Sequence, residues 1–217
     1  MQSPPAVLMD ASEVESLIRE WLGQERMEIR IQEDERSHAH FLVRYPSGRN
    51  GHVFAVILPK DRDLVAISSM TRVDGGQQDE MSSLLKEDEE RWQEWIHDCR
   101  MQLMQTGVDW VIHLGHQDKE KTGPLQAFNT SEPIWYDGIT KNEFMQTFRR
   151  LWLAKLGVIH EIKFTFGPGS GKNGPVDDWQ KKKTSGSQQK SATKPTKRIE
   201  MDDSMSFGSD FDPSDWV

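Results

Sequence analysis

Residues 40–73, HFLVRYPSGRNGHVFAVILPKDRDLVAISSMTRV, decide the fold. Three apolar runs, 40–45, 52–58 and 64–73, are separated by Pro46-Ser47-Gly48 and by Pro59-Lys60-Asp61-Arg62-Asp63. Runs of that length, rich in β-branched and aromatic residues and bounded by proline, glycine and aspartate, read as strands joined by tight turns. Upstream, Met27, Ile29 and Ile31 alternate with Glu28, Arg30 and Gln32, which adds a fourth strand. Short connections between successive strands imply an antiparallel meander, because parallel neighbours need a long crossover.

Helical patterns flank the meander. Val14, Leu17, Ile18, Trp21 and Leu22 fall on one helical face, Ser12 with Glu15 has the form of a capping box, and Gly23 is placed to end the helix. Trp92, Ile96, Cys99 and Leu103 repeat the pattern on a charged stretch that stops at Gly107. The acids Glu87-Asp88-Glu89-Glu90 read as a solvated helix start favoured by the macrodipole. Residues 108–113 read as a strand, 125–128 as a weaker one, and 133–138 as an approach to the last helix. There Thr140 and Glu143 cap a stripe of Phe144, Phe148, Leu151, Trp152 and Ile159. The expected fold is α+β, an antiparallel meander packed with three amphipathic helices.

The charge divides the chain. Of its 217 residues, 35% are apolar and 29% charged, and the net charge is −8. Residues 168–199 hold eight bases and two acids in a Gly/Ser/Pro/Lys/Gln-rich tract, whereas 200–217 hold six acids and no base. The former has too little apolar surface to offset the entropy of ordering. The expected organisation is a flexible N-terminus at 1–11, a folded domain at 12–167, a basic disordered linker at 168–199 and an acidic-aromatic docking tail at 200–217. A domain of about 150 residues removes roughly 70% of its unfolded surface from water, so it needs no metal or disulfide to fold. No apolar window approaches the roughly 20 residues of a membrane span, and the start MQSPPAVLMDASEVES has no signal-peptide pattern. A cytoplasmic protein without a membrane partner is expected. With Cys99 as the single cysteine, an intramolecular disulfide is impossible and a thiolate cage is excluded.

Four segments carry a resemblance. Ile18-Arg19-Glu20-Trp21-Leu22, Leu58-Pro59-Lys60-Asp61, Gly107-Val108-Asp109 and above all Trp135-Tyr136-Asp137-Gly138-Ile139-Thr140-Lys141 resemble an uncharacterised archaeal domain family. That family is similar to the type III secretion chaperone-like fold, and the resemblance covers roughly 12–167. It implies peptide or protein binding by analogy of fold, and dimerisation on the same ground; it assigns no catalytic residue.

Candidate chemistry in the folded part reads as ordinary structure. His113 and His116 are three apart, which on a strand places them on opposite faces, and a zinc site needs three or four converging ligands. His38 and His40 can share a face but lie where a polar loop enters a strand. In Gly167–Gly174 the first glycine of a phosphate loop is replaced by Phe166, the Ser/Thr by Asn173, and Pro175 follows instead of a helix. Cys99 on an apolar stripe reads as a small core residue. No catalytic residue, metal or cofactor is expected, and the protein is read as a non-enzyme. Trp135, Tyr136 and Asp137 beside Gly138 could line a groove, although core packing is the simpler account of the two aromatics.

The tail carries the functional expectation. Phe207, Asp210, Phe211, Asp212, Asp215, Trp216 and Val217 mix bulky apolar anchors with carboxylates, similar in design to the tails by which bacterial single-stranded DNA-binding proteins recruit partners. Acids would steer the tail to a basic surface while the aromatics fill pockets. The expected function is a protein- or peptide-binding adaptor, chaperone-like, that recruits a protein partner through this tail. The alternative is a nucleic-acid accessory factor in which Lys181, Lys182 and Lys183 contact phosphate and the acidic tail masks them. The −8 of the remaining residues opposes that alternative, since phosphate binding favours a basic folded surface.

Overall fold

The meander forms as its alternation and turns dictate. The computed structural model describes residues 9–48, 51–118 and 121–169. The chain divides into two units, Met1–Trp179 and Gln180–Val217, and all described residues belong to the first. Strands β1 (Ile29–Ile31), β2 (Ser37–Tyr45), β3 (His52–Pro59) and β4 (Leu64–Arg72) pair in sequence, each antiparallel to the last. Two further strands, β5 (Asp109–Asp118) and β6 (Lys121–Trp135), complete a six-stranded antiparallel sheet of order β1-β2-β3-β4-β6-β5. The architecture is α+β.

Four helices accompany the sheet where three are expected. The first, α1 (Ala11–Gln24), is capped by Asp10 rather than Ser12: the Asp10 carboxylate accepts from the Glu13 N–H at 2.8 Å, and Glu13 returns the bond to the Asp10 N–H at 3.0 Å. Gly23 does not end this helix. The reversal falls at Arg26, with φ 53°, where the N–H groups of Arg26 and Met27 bond back to Gly23 and Leu22 and the buried Leu22 and Met27 close the turn. The additional helix is α2 (Gly75–Glu87), started by Asp74, whose carboxylate accepts from the Gly76 N–H. Two glycines and a polar run conceal it, because only Gln77 and Met81 are buried. The third, α3 (Glu89–Gln105), begins at the acidic run and ends before Gly107, whose φ is 72°. Thr140 caps the 26-residue α4 (Lys141–Phe166).

Two apolar clusters lie between the helices and one face of the sheet. The first joins Val14, Ile18 and Leu22 of α1 and Phe144, Phe148 and Leu151 of α4 to Phe41, Val43, Phe54, Val56, Val65 and Ile67. Phe148 stands at its centre, 5.2 Å from Phe144, 5.4 Å from Phe54 and 5.5 Å from Tyr45 between ring centroids, contacts worth about 1 kcal/mol each beyond burial. The second joins Met81 of α2, the α3 stripe and Val158 and Ile162 of α4 to Leu125 and Phe128 of β6. Between them α4 carries a buried lysine, Lys155, against Ser69 of β4.

The strand expected at 125–128 is the middle of a fifteen-residue β6, and 133–135 belong to it rather than to an approach to α4. Its polarity hides it. Asn129, Thr130 and Ser131 are buried in mid-sheet, where pairing to β4 on one side and β5 on the other satisfies the backbone whatever the side chains. Pro133, which has no N–H to donate, is also accommodated, opposite Ala66. Among the described residues no helix is long and apolar enough to cross a membrane.

Candidate functional site

Pleating sends alternate residues of a strand to opposite faces, and the register aligns them in rows. On the face turned away from both apolar clusters, Arg30, Leu42, Ala55, Ser68, Ser131 and Asp109 form one row through all six strands. His40, Ile57, Ala66 and Pro133 form the next row, and Met70, Asn129 and Val111 lie on the other side. Ile57, Leu64, Ala66 and Ala127 are buried yet belong to neither helix-packed cluster. Arg44, paired with Val53 and donating to the Gly51 carbonyl at 3.0 Å, is buried on the same face. Large apolar groups also stand there: Trp135 is 54% exposed, Val111 51% and Met70 39%. Met70 and Val111 flank Asn129, and Trp135 lies six residues further along β6.

The three residues expected to share a groove are dispersed by this pleat. Trp135 ends β6 on the uncovered face, Tyr136 turns inward to 2% exposure in the first cluster, and Asp137 lies exposed in the turn. Burial raises the Tyr136 phenol pKa above its ordinary value, with Asp63 and Asp10 adding to the effect. Only Trp135 of the three is exposed on this sheet face. Met70 and Val111 went unrecognised in the sequence, where each reads as one more apolar strand residue. The available signal is that β4 is apolar or small at nearly every position, so both of its faces lack charge until Arg72.

Other groups are accounted for by their neighbours. A cleft of about 350 Å³ opens between α1 and the loop joining β1 to β2. Several of its charged groups have partners: Glu15 holds Arg19 at 2.7 Å and His38 at 3.2 Å, Asp34 accepts from Ser37, and Arg19 lies over the Phe41 ring at 4.7 Å. His40, read from the sequence as a companion of His38, instead faces Asp34 at 3.7 Å, and burial lowers its pKa against the pull of that carboxylate. A β-bulge between Ser37 and Ala39 separates the two histidines. Cys99 is buried on the α3 stripe, and burial followed by the charges of Glu161 and Asp98 pushes its thiol up to about 12. Among the described residues no three His, Cys, Asp or Glu side chains are grouped to hold a metal. The tail residues Phe207, Asp210, Phe211, Asp212, Asp215, Trp216 and Val217, and Lys181, Lys182 and Lys183, lie outside the described residues.

A family described as "Uncharacterized conserved protein (DUF2299)" matches residues 14–162. The crystal structure of an uncharacterized protein from Methanothermobacter thermautotrophicus is 28% identical with a TM-score of 0.61, covering 70% of this chain and 99% of that one. YbjN from E. coli is 12% identical with a TM-score of 0.36, covering 67% of this chain and 90% of its own. No curated protein matches the chain.

Proposed function

The chain belongs to the DUF2299 family of uncharacterized conserved proteins, and from that premise we propose that it is a non-enzymatic protein-binding module. The supporting observation is the sheet face turned away from the helices, where Met70 and Val111 stand exposed on either side of Asn129 and Trp135 stands exposed further along β6. Large exposed apolar side chains around a flat centre suit a partner that lays its own apolar surface across the strands. The sequence of 200–217, with Phe207, Phe211 and Trp216 among six acids, supports a second docking motif on the same chain. Two weak sites on one chain reinforce each other through effective concentration. The similarity of four sequence segments to a secretion-chaperone-like family supports the same class of activity.

The test is photo-crosslinking in native extract. A benzophenone amino acid is placed at Met70, Val111 or Trp135 on the face, and at Leu153, an exposed position of α4. Protein adducts that form from the three face positions and not from Leu153 support the proposal. Equal labelling from all four, or none, overturns it.

A further inference from the structure

We infer that residues 1–8 run across the sheet face turned away from the helices, along β4 from Leu64 to Ser68, as a proline-rich strap beside Trp135. This goes beyond the protein-binding reading and stands without it. Leu64, Ala66 and Ser68, alternate residues of β4 on that face, are 4%, 6% and 4% exposed, whereas Met70, the next in the series, is 39% exposed. Their lateral neighbours Ile57 and Ser131 are buried as well. A sheet face with no layer above it leaves its side chains in water, so burial that stops between Ser68 and Met70 marks the edge of a cover. The cover is not a helix, because all four helices pack in the clusters on the opposite face. Arg44 and His40, buried nearer β1, have partners of their own: Glu28 and the Gly51 carbonyl for the first, Asp34 for the second.

The described chain begins where such a cover would enter. Met9 packs on the first cluster, and Asp10 lies close enough to Tyr136 to act on its phenol. The Tyr136 N–H bonds the Asp63 carbonyl, and the next residues inward, Trp135 and Leu64, pair with each other at the end of the sheet. Rounding that end through a layer spacing of about 10 Å uses three of the eight residues at roughly 3.3 Å each. The remaining five span about 16 Å, against about 13 Å from Leu64 to Ser68 along the strand. The reach therefore matches the burial, which includes Ser68 and ends before Met70. The chemistry matches too. Met1-Gln2-Ser3-Pro4-Pro5-Ala6-Val7-Leu8 has no ionisable side chain, and its two prolines have no N–H to leave unpaired under cover. Trp135, exposed beside Leu64, offers the flat aromatic wall against which extended proline segments pack.

The test is thiol accessibility in the purified full chain, where the buried Cys99 gives no competing signal. Ser68→Cys should react with a bulky disulfide reagent about tenfold or more slowly than Met70→Cys, since it must wait for local opening. Its rate should be the same at about 1 and about 100 µM protein, because a cover within one chain does not obey mass action. Deleting residues 2–8, which leaves the Asp10 cap of α1 in place, should bring Ser68→Cys to within about threefold of Met70→Cys. Pro4→Asp with Pro5→Asp, at unchanged chain length, should do the same, and circular dichroism checks that both variants remain folded. Equal rates for Ser68→Cys and Met70→Cys in the full chain overturn the inference. So does slow reaction that persists in the folded strap variants; if it then disappears in a chain ending at Gly169, the cover lies after residue 169. No partner protein enters these measurements, so their failure leaves the crosslinking test of the protein-binding reading untouched.

Discussion

The Nζ of Lys155 on α4 donates to the Oγ of Ser69 on β4 at 2.7 Å, and that hydroxyl donates in turn to the carbonyl of Val53 at 2.7 Å. The lysine is 1% exposed, and among the described residues no carboxylate pairs with it. The ammonium also lies over the face of Phe54, 5.7 Å from the ring centroid. Burial alone pulls its pKa down to about 7. His52 across the sheet is lowered to about 4, by burial first and then by Lys155, Lys163 and Arg44.

The lysine makes stability rise with pH. Between the folded pKa of about 7 and the ordinary 10.5, the unfolded chain binds a proton that the folded one does not, so the stability gained grows through that window. Below it, both states carry the charge and the folded state bears the full cost of burying it. Lys155→Met, of similar length and uncharged, should therefore stabilise the protein at pH 6 by an amount on the order of a few kcal/mol. The gap between the two proteins should close towards pH 10. Urea denaturation of both at pH 6, 8 and 9.5 measures it; a gap that does not change with pH contradicts the account.

The cap of α1 distinguishes two aspartate and serine readings. Asp10→Ala removes the carboxylate that accepts from the Glu13 N–H, leaving the backbone N–H of residue 10 to Glu13, and should cost about 1 kcal/mol, whereas Ser12→Ala should change stability by less than about 0.5 kcal/mol. Thermal melts of the two variants decide it. Comparable losses would restore Ser12 as the cap.

Trp135 and Tyr136 should behave oppositely although adjacent. Trp135→Ala removes an exposed side chain and should shift the melting temperature little, while Tyr136→Ala empties part of the first cluster and should cost about 3 kcal/mol. In the crosslinking assay the order reverses, with Trp135→Ala the variant that weakens labelling from Met70 and Val111. Equal destabilisation by both would place Trp135 in the core.

Cys99 should be silent in the native protein. A 2% exposed thiol with a pKa near 12 is neither accessible nor ionised at pH 8. Reaction with a disulfide reagent should be slow until denaturant is added and then reach one equivalent per chain. Prompt native labelling would show that α3 detaches readily from α4 and the sheet.

How much of this was legible depends on where the information sits. The meander announced itself because alternation, proline and glycine turns and β-branched runs are local properties of residues 40–73. The helices with one apolar stripe, α1, α3 and α4, were legible for the same reason. Strand β6 was not, since Asn129, Thr130 and Ser131 are tolerated in mid-sheet only because β4 and β5 pair with their backbone from both sides. Helix α2 was concealed because Gly75 and Gly76 open it and tertiary packing of Met81, rather than propensity, holds it.

By itself, then, the sequence determined the class of the fold, the order of the meander and the buried stripe of each long helix. These follow from periodicity and composition, which act over a few residues. Only the tertiary structure decided that both apolar clusters lie on one side of the sheet, that Trp135 faces outward while Tyr136 is buried, and that Arg30 and Asp109 close opposite ends of a single row. Such relations depend on strand order and register between residues as far apart in the chain as Arg30 and Asp109, and no local pattern encodes them.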